Sequence, residues 1–528
     1  MVGRLDAIRI RDPRFLLLYP PLQFAPEEMA KPDGSLSLPY VAGALRRAGY
    51  EVKILDCSVG DTDDRLEETF FHPAPLPSGL LRVGMAPERI ASLVAGYDVI
   101  GVSSIFTTQS SMVLELIRQV KRIDPTKPVI AGGVNARNLR ERFFCSGADV
   151  IVLSEAEETI VQIAEALRGK RDMTGIPGIA FRDEHGREVV NPTGPIPLDL
   201  DKLPLPAWDL LPLEKYWDIS RPHGGQFPQG HRIQYASLQT SRGCPFQCLY
   251  CHISKEVSGS EFGELGKFRV KSLDRVLWEL EILKGLGVQY VFFEDDSLFA
   301  KKNRAYDLFK LVREMGLQLA DVNGINLCHL QKNFRGKLDI DTEFLEVLAE
   351  AGFDFLTLPF ESASQRLLDK YSTSKWNIEK MDTKKLLRAL DAMRMKAAGN
   401  YMIGYPDESV AEIYDTIMMA KRHVEQGLNH ALFFSVVPFP GSLLFDQVMA
   451  NGQLEPNFDT DTMKWTRSIL KNLAIPADAL DHLRQLAWLT VNRSDFVDYK
   501  INMRVSGPEA KQPSSAIAAV PSSQAAIL

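Results

Sequence analysis

No stretch of the sequence is long and apolar enough to cross a bilayer, which takes roughly 20 consecutive apolar residues. The first residues, MVGRLDAIRIRDPR, lack the apolar region of a secretory signal. Basic residues are not in excess: 61 lysines and arginines stand against 68 acidic residues, and the formal net charge is −7. We therefore expect a cytoplasmic protein with no transmembrane segment. We expect no nucleic-acid partner, because such proteins usually carry a basic face.

Cysteine is also scarce, with six in 528 residues. Three are scattered, which does not suit a disulfide framework. The others, Cys244, Cys248 and Cys251, lie together in TSRGCPFQCLYC, and in a cytosolic chain such a cluster indicates a metal site. Their C-x3-C-x2-C spacing suits three irons of a 4Fe–4S cluster and leaves the fourth iron open. A zinc site with His252 as fourth ligand is the alternative.

Short apolar runs alternate with helix-like segments through residues 1–170. The runs are short enough for strands that are buried on both faces of a parallel sheet. This alternation predicts a doubly wound α/β domain of the flavodoxin-like, Rossmann type, which binds ligands beyond the carboxyl ends of its strands. The five runs are FLLLY, VKILD, DVIGVSS, PVIAGG and DVIVL.

Prolines interrupt the pattern in residues 171–233, which predicts a linker with a β-hairpin around IAFRDEHGREVV. A second alternating series over 234–446 predicts a partial (β/α)6 barrel of the TIM type, with its chemistry at the carboxyl ends of the strands. We expect a C-terminal helical region over 447–505 and a disordered tail over 506–528. The expected barrel strands are IQYASLQTS, VQYVFFED, DVNGINL, DFLTLPF, NYMIGY and ALFFSVVP.

The cysteine loop directly after the first barrel strand resembles that of the radical S-adenosylmethionine (radical SAM) superfamily. The segments FFEDDSLF, LPFESAS, YMIGYPDES and VPFPGSLLFD resemble further motifs of that superfamily. The resemblance implies that S-adenosylmethionine chelates the open iron of a 4Fe–4S cluster. It implies that one electron then cleaves S-adenosylmethionine to methionine and a 5′-deoxyadenosyl radical. An external electron donor such as flavodoxin or ferredoxin is expected.

The same resemblance suggests residues that bind S-adenosylmethionine. Tyr250, just before the third cysteine, occupies the aromatic position near the adenine. Asp295, in the acidic stretch FFEDDSLF, matches the carboxylate that meets the methionine ammonium. Glu361 and Ser362 in LPFESAS match residues at the ribose or methionine carboxylate, although the glycines of that motif are replaced here. No catalytic residue is assigned beyond the cluster ligands.

A flavodoxin-like domain ahead of such a barrel resembles the cobalamin-binding subclass, the class B radical SAM methyltransferases. Ser103, Ser104, Gly132 and Gly133 stand at expected strand ends, where small residues let a flat macrocycle approach the backbone. The cobalt-ligating motif D-x-H-x-x-G is absent, so we expect base-off cobalamin without a protein histidine on cobalt. A flavin or no ligand is the alternative for this domain.

These features predict a cobalamin-dependent radical SAM enzyme that transfers a methyl group from methylcobalamin to an unactivated carbon. The substrate is expected to be a small molecule or natural product. A cyclase or rearrangement enzyme that transfers no methyl group, similar to the anaerobic cyclase of chlorophyll synthesis, is the first alternative. A non-catalytic cobalamin or redox sensor is the second.

Overall fold

A computed structural model describes residues 9–32, 34–183, 185–222, 232–373 and 375–505. The expected tail over 506–528 lies outside the described residues. Among the helices in the described part, none is both long and apolar enough to cross a membrane.

The N-terminal part of the chain is a sheet with helices on both faces. Along β1, alternate residues pack into two separate apolar clusters, Phe15 and Leu17 into one and Leu16 and Leu18 into the other. The elements are β1 (Phe15–Tyr19), β2 (Leu22–Phe24), α1 (Ser37–Arg47), β3 (Val52–Asp56), α2 (Leu66–Thr69), β4 (Ala74–Pro75), β5 (Leu81–Val83), α3 (Pro87–Val94), β6 (Val99–Ser103), α4 (Ser110–Ile123), β7 (Val129–Gly132), α5 (Val134–Asn138), α6 (Arg140–Ser146), β8 (Val150–Val152), α7 (Ala156–Leu167), β9 (Ile179–Arg182) and β10 (Glu188–Val190).

The sheet has seven strands in the order β10-β9-β8-β7-β6-β1-β3. Its five parallel strands are the five predicted apolar runs, in the spatial order of a flavodoxin-like domain. The predicted hairpin is also present, as β9 and β10, and it pairs antiparallel with β8. The sheet therefore continues into the segment expected as a linker, and the expected division at residue 170 stays a prediction.

The rest of the proline-rich segment includes α8 (Leu213–Ile219) and fastens the two halves of the chain together. The indole nitrogens of Trp208 and Trp217 donate to the carbonyls of Ser237 and Tyr235 at 3.0 and 2.8 Å. Tyr216 donates to Asp56 in the N-terminal sheet at 2.8 Å. These contacts hold the first barrel strand against the N-terminal domain.

The second half is a partial barrel of six parallel strands, as expected. The strands form two sheets, β11-β14-β15 and β18-β19-β20, which are joined by a bridge between Leu319 and Phe353. The elements are β11 (Tyr235–Leu238), β12 (Ser241–Arg242), β13 (Arg269–Val270), α9 (Leu273–Gly285), β14 (Tyr290–Phe293), α10 (Lys302–Val312), β15 (Gln318–Asp321), β16 (Gln331–Phe334), β17 (Lys337–Ile340), α11 (Thr342–Ala351), β18 (Phe355–Glu361), α12 (Gln365–Tyr371), α13 (Thr383–Ala392), β19 (Lys396–Ile403), α14 (Val410–Glu425) and β20 (His430–Ser435).

The third barrel strand was misplaced by the sequence pattern. It is β15, which ends at Asp321, whereas the predicted strand DVNGINL runs on into a loop. Gly324 in this loop has φ +85°, a conformation that breaks a strand. Cys328 and His329, which directly follow the predicted strand DVNGINL, accordingly lie in the 3-10 helix Leu327–Leu330.

The C-terminal region is helical as expected, in α15 (Leu443–Ala450), α16 (Ala477–Val491) and α17 (Ser494–Val505). Between α15 and α16 the chain is irregular apart from the 3-10 helix Thr460–Thr462. This irregular stretch touches the N-terminal domain, where Ser111 donates to Asp461 at 3.0 Å and Lys464 donates to Glu28 at 2.9 Å.

Candidate functional site

The cysteine loop leaves the carboxyl end of β11 through the short hairpin of β12 and β13. The backbone amide of Cys244 donates to Gly266 at 3.0 Å, and that of Cys251 donates to Cys248 at 2.9 Å. Leu249 in the same loop donates to Tyr371 at 2.9 Å. The loop is therefore closed by its own backbone hydrogen bonds and is fixed to the end of α12.

The three cysteine thiols lie on one sheltered loop. Burial is the main cause that raises the pKa of Cys244 to about 11 and that of Cys251 to about 12. The charge of Cys248 adds to the rise at both neighbours, and Cys248 itself is only 4% exposed. Three thiols on one sheltered loop are the donor set that a 4Fe–4S cluster with an open iron takes.

His252, the candidate fourth zinc ligand, points its ring toward a carboxylate. Its Nδ1 lies 2.6 Å from Oε1 of Glu256. Across the described residues, no three His, Cys, Asp or Glu side chains are arranged around a single ion.

Tyr250 and Glu361, both predicted to bind S-adenosylmethionine, lie together beside the cysteines. The Tyr250 hydroxyl donates to Glu361 at 2.5 Å, Lys375 donates to Glu361 at 2.8 Å, and Ser372 donates to the same carboxylate. Glu361 has φ +64° and is 4% exposed. A left-handed glutamate is strained, and such strain is concentrated at functional sites.

Lys375 was not found from the sequence. Its charge counters part of the rise in the pKa of Cys244, Cys248 and Cys251, so its ammonium lies near all three thiols. Glu361 in turn helps to raise the pKa of Lys375 against the effect of burial. The residue sits in the irregular connection after α12, where no motif marks it. Only its place just after the motif segment LPFESAS could have drawn attention to it.

The other two residues predicted to bind S-adenosylmethionine accept hydrogen bonds from other residues of the chain. Ser362 is fully buried and accepts from the Ser364 amide at 3.1 Å. Asp295 is 3% exposed and accepts from the amide and hydroxyl of Thr240 at 3.0 and 2.8 Å and from the Ser241 hydroxyl at 2.5 Å. Asp295 therefore holds the strand end that leads into the cysteines, and its contact with S-adenosylmethionine stays a prediction.

The neighbours of Asp295 point to different parts of the molecule. Asp296 accepts from the Gly243 amide at 2.9 Å, and burial raises its pKa to about 6. Glu294 accepts from the Leu36 amide of the N-terminal domain at 3.3 Å, and burial raises its pKa to about 7. The carboxyl end of the barrel thus meets the N-terminal domain.

Ser103 and Gly132 lie at the carboxyl ends of β6 and β7, and their contact with cobalamin stays a prediction. Ser103 lies 2.9 Å from Ser37 hydroxyl to hydroxyl, and Ser104 accepts from Asn135 at 2.8 Å. A Cβ on Gly132 would meet only Val152, at 3.9 Å, so space is open there. A Cβ on Gly133 would collide with the Ser104 carbonyl at 2.4 Å, so that glycine serves chain packing. Open space at this edge is therefore found at Gly132, whereas Ser103 and Ser104 are buried.

Two other residues named above lie at the margin of the site. The Cys328 thiol is close enough to Cys244 for the charge of Cys244 to contribute to its raised pKa of about 11, although burial is the larger cause. The His329 ring lies 5.8 Å from the ring of Phe246 in the cysteine loop. The 3-10 helix therefore borders the cysteine loop although it is not a strand end.

Comparison with known proteins agrees with this arrangement. The family model of the B12 binding domain matches residues 34–164, and that of the radical SAM superfamily matches residues 238–420. Together they cover more than half of the chain. The chain belongs to the B12-binding radical SAM enzymes.

Relatives of this B12-binding radical SAM enzyme span nearly its whole length. Cytidylyl-2-hydroxyethylphosphonate methyltransferase of Streptomyces wedmorensis is 27% identical over 501 residues, covering 89% of this chain and 87% of the relative. The anaerobic magnesium-protoporphyrin IX monomethyl ester cyclase of Cereibacter sphaeroides is 22% identical over 85% of this chain and 67% of its own length. The radical S-adenosylmethionine methyltransferase TsrM of Kitasatospora setae shares the fold, with a TM-score of 0.60 and 18% identity over 83% of this chain and 76% of TsrM.

Proposed function

We propose that the chain is a cobalamin-dependent radical SAM methyltransferase that acts on an unactivated carbon of a small molecule. The observation that carries the proposal is the contact between the barrel and the N-terminal domain. The carboxyl end of the barrel, where the three-cysteine loop begins, contacts the N-terminal domain through Glu294 and the Leu36 amide. The methyltransferase among the relatives supports methyl transfer.

The residues of the chain have separate parts in this proposal. Cys244, Cys248 and Cys251 hold the cluster, and Tyr250 and Glu361 lie where S-adenosylmethionine binds. When bound, these cofactors supply a radical that removes a hydrogen atom and a methyl group carried by cobalamin. The hydrophobic cluster that includes Met402, Tyr405 and Val436 borders Tyr250 and Leu249 and screens this side of the site from water.

An external one-electron donor such as flavodoxin or ferredoxin, and a cytoplasmic location, are parts of the same proposal. The cluster can act only if an electron reaches it, so the reaction needs a reductant. We propose that the donor is a separate protein.

The test uses S-adenosylmethionine that carries a labelled methyl group, with the reconstituted enzyme and a cell extract. We expect 5′-deoxyadenosine together with a labelled small molecule whose mass has risen by one methylene group. The cyclase relative makes cyclisation or rearrangement the second candidate. That reaction would give 5′-deoxyadenosine and an altered product that carries no label, and it would refute methyl transfer. Changing all three cysteines to alanine should abolish 5′-deoxyadenosine.

A further inference from the structure

The hairpin that leads into the cysteine loop places two arginines face to face. Arg242 and Arg269 are direct partners in the antiparallel pairing of β12 and β13. Arg242 is two residues before Cys244, and the Cys244 amide bonds to Gly266 on the returning side. Like charges directly opposite each other destabilise a strand pair. This hairpin therefore requires a negatively charged group close to the two arginines.

The N-terminal domain supplies the anion. Glu155 contacts Arg269 at 2.6 Å and Arg242 at 3.2 Å, and Glu157 contacts Arg242 at 2.5 Å. Both glutamates follow strand β8, in the SEAEE segment that begins α7. The Arg242 guanidinium also lies 4.6 Å from the Tyr40 ring of α1. The hairpin beside the cluster thus has its counterions in the other domain.

These charges are shielded from solvent. The exposed fractions of the four side chains are 12% for Arg242, 3% for Arg269, 16% for Glu155 and 5% for Glu157. Buried charges cost little only while they are paired, and removing one partner leaves the other uncompensated. Undocking the N-terminal domain would therefore leave two arginines opposed across the hairpin without their counterions.

A second ion pair between the domains lies after the last cysteine. Arg137 on α5 pairs with Glu256, and their side chains are 11% and 6% exposed. Glu256 also contacts His252, the residue next to Cys251. The N-terminal domain therefore contacts the cysteine loop before its first cysteine and after its last, both times through residues that follow β7 or β8 at the carboxyl edge of its own sheet.

We propose that these two buried ion-pair clamps couple docking of the N-terminal domain to the retention of the cluster. Glu155 is the central positioning residue, because it contacts both arginines of the hairpin, whereas Glu157 contacts Arg242. The three cysteines keep their arrangement only while the carboxyl edge of the N-terminal sheet, where we expect cobalamin to bind, is docked against the cysteine loop. This inference does not depend on which group the enzyme transfers, so it can fail or hold separately from methyl transfer.

The experiment compares the reconstituted full-length chain with Glu155→Gln, Glu155→Asp and Glu157→Gln. The measurement is the rate at which a ferrous chelator removes iron from the cluster under anaerobic conditions. Breaking a buried ion pair is costly, so we expect Glu155→Gln to lose iron roughly tenfold faster or more. Glu155→Asp keeps the charge and should stay close to the parent. Glu157→Gln leaves Glu155 between the arginines and should give a smaller effect.

The matched control is Glu28→Gln, which removes another ion pair between the domains, with Lys464 at 2.9 Å, away from the cysteine loop. Its iron loss should equal that of the parent. Cobalamin retention and the thermal midpoint are measured on every variant, to separate loop disorder from general unfolding. Equal iron loss in Glu155→Gln and Glu28→Gln would overturn the proposal. If Glu155→Gln does not fold, Glu157→Gln with parental iron loss would overturn it.

Discussion

Lys375 is the residue whose charge we expect to set the electrochemistry of the site. Its ammonium lies near the three cysteines and pairs with Glu361 at 2.8 Å. A cluster gains negative charge on reduction, so a nearby cation stabilises the reduced form. Lys375→Met removes that cation and leaves Glu361 uncompensated. We expect the midpoint potential to fall in a redox titration followed by electron paramagnetic resonance.

Lys370→Met is the control for this change, because Lys370 pairs with Asp407 on the surface. Its midpoint potential should match that of the parent. If Lys375→Met had the same midpoint potential as the parent and Lys370→Met, the only role of Lys375 would be to pair with Glu361.

The residues of the site differ in how far the sequence could identify them. Cys244, Cys248 and Cys251 were identified by their spacing alone, which can be read directly from the sequence. The surroundings of Asp295 are not local, since Thr240 and Ser241 reach it from another strand end. Lys375 and Glu155 are likewise brought to the cysteines by folding across long stretches of chain. Motifs therefore reveal ligands, whereas folded contacts reveal what holds them.

At the level of elements, the short buried strands were predictable because a short, continuous apolar run is typical of a strand that is buried on both faces. The third barrel strand was not, because QLAD is short and DVNGINL carries more branched apolar residues. Asn323 and Gly324 were the available turn signal. The hairpin of β12 and β13 was also missed, since strands of two residues leave no periodic pattern.

The turn after β19 should make stability depend on pH. Glu408 is 3% exposed and accepts from the amides of Gly404 and Tyr405, and burial raises its pKa from 4.5 to about 8. Between these values the folded chain binds more protons than the unfolded chain, so the free energy of unfolding falls as pH rises. Relative to Glu408→Gln, we expect the parent's thermal midpoint to drop by about a few degrees from pH 5 to 8.

The control in the same segment is Glu412→Gln. Hydrogen bonding and pairing with Arg366 lower the pKa of Glu412, so it is ionised in both states over this range. Its midpoint should differ from that of the parent by a constant amount between pH 5 and 8. A constant difference for Glu408→Gln as well would show that the Glu408 carboxylate is ionised in the folded chain throughout.

At the level of the whole molecule, the two halves form one structure whose contacts no single-domain pattern reveals. The N-terminal sheet and the barrel were each predictable as β/α series. Their mutual placement depends on single side chains, such as Tyr216 on Asp56 and Arg242 on Glu157. Such pairs join residues that are far apart in sequence, and one sequence contains no signal that matches them.

That placement also bears on the cobalt ligand. His72 is the one histidine before residue 170, and it is held on the surface by the carbonyl of Glu67. His252, from the barrel, is brought toward the N-terminal domain through Glu256 and Arg137. Its Nδ1 faces the Glu256 carboxylate, and burial lowers its pKa to about 3. We therefore expect neither histidine to ligate cobalt.

The measurement is electron paramagnetic resonance of the Co(II) form of the full-length chain. Base-off cobalamin without a histidine ligand should show the hyperfine lines of cobalt without superhyperfine splitting from an axial nitrogen. His72→Ala and His252→Ala should leave the spectrum unchanged. Nitrogen splitting that disappears in His252→Ala would mean that the barrel supplies the axial ligand across the interface. Splitting that disappears in His72→Ala would mean that the surface loop moves onto the cofactor. Either result would contradict the expectation that no histidine ligates cobalt. Failure to bind cobalamin at all would refute both this expectation and the proposed methyl transfer.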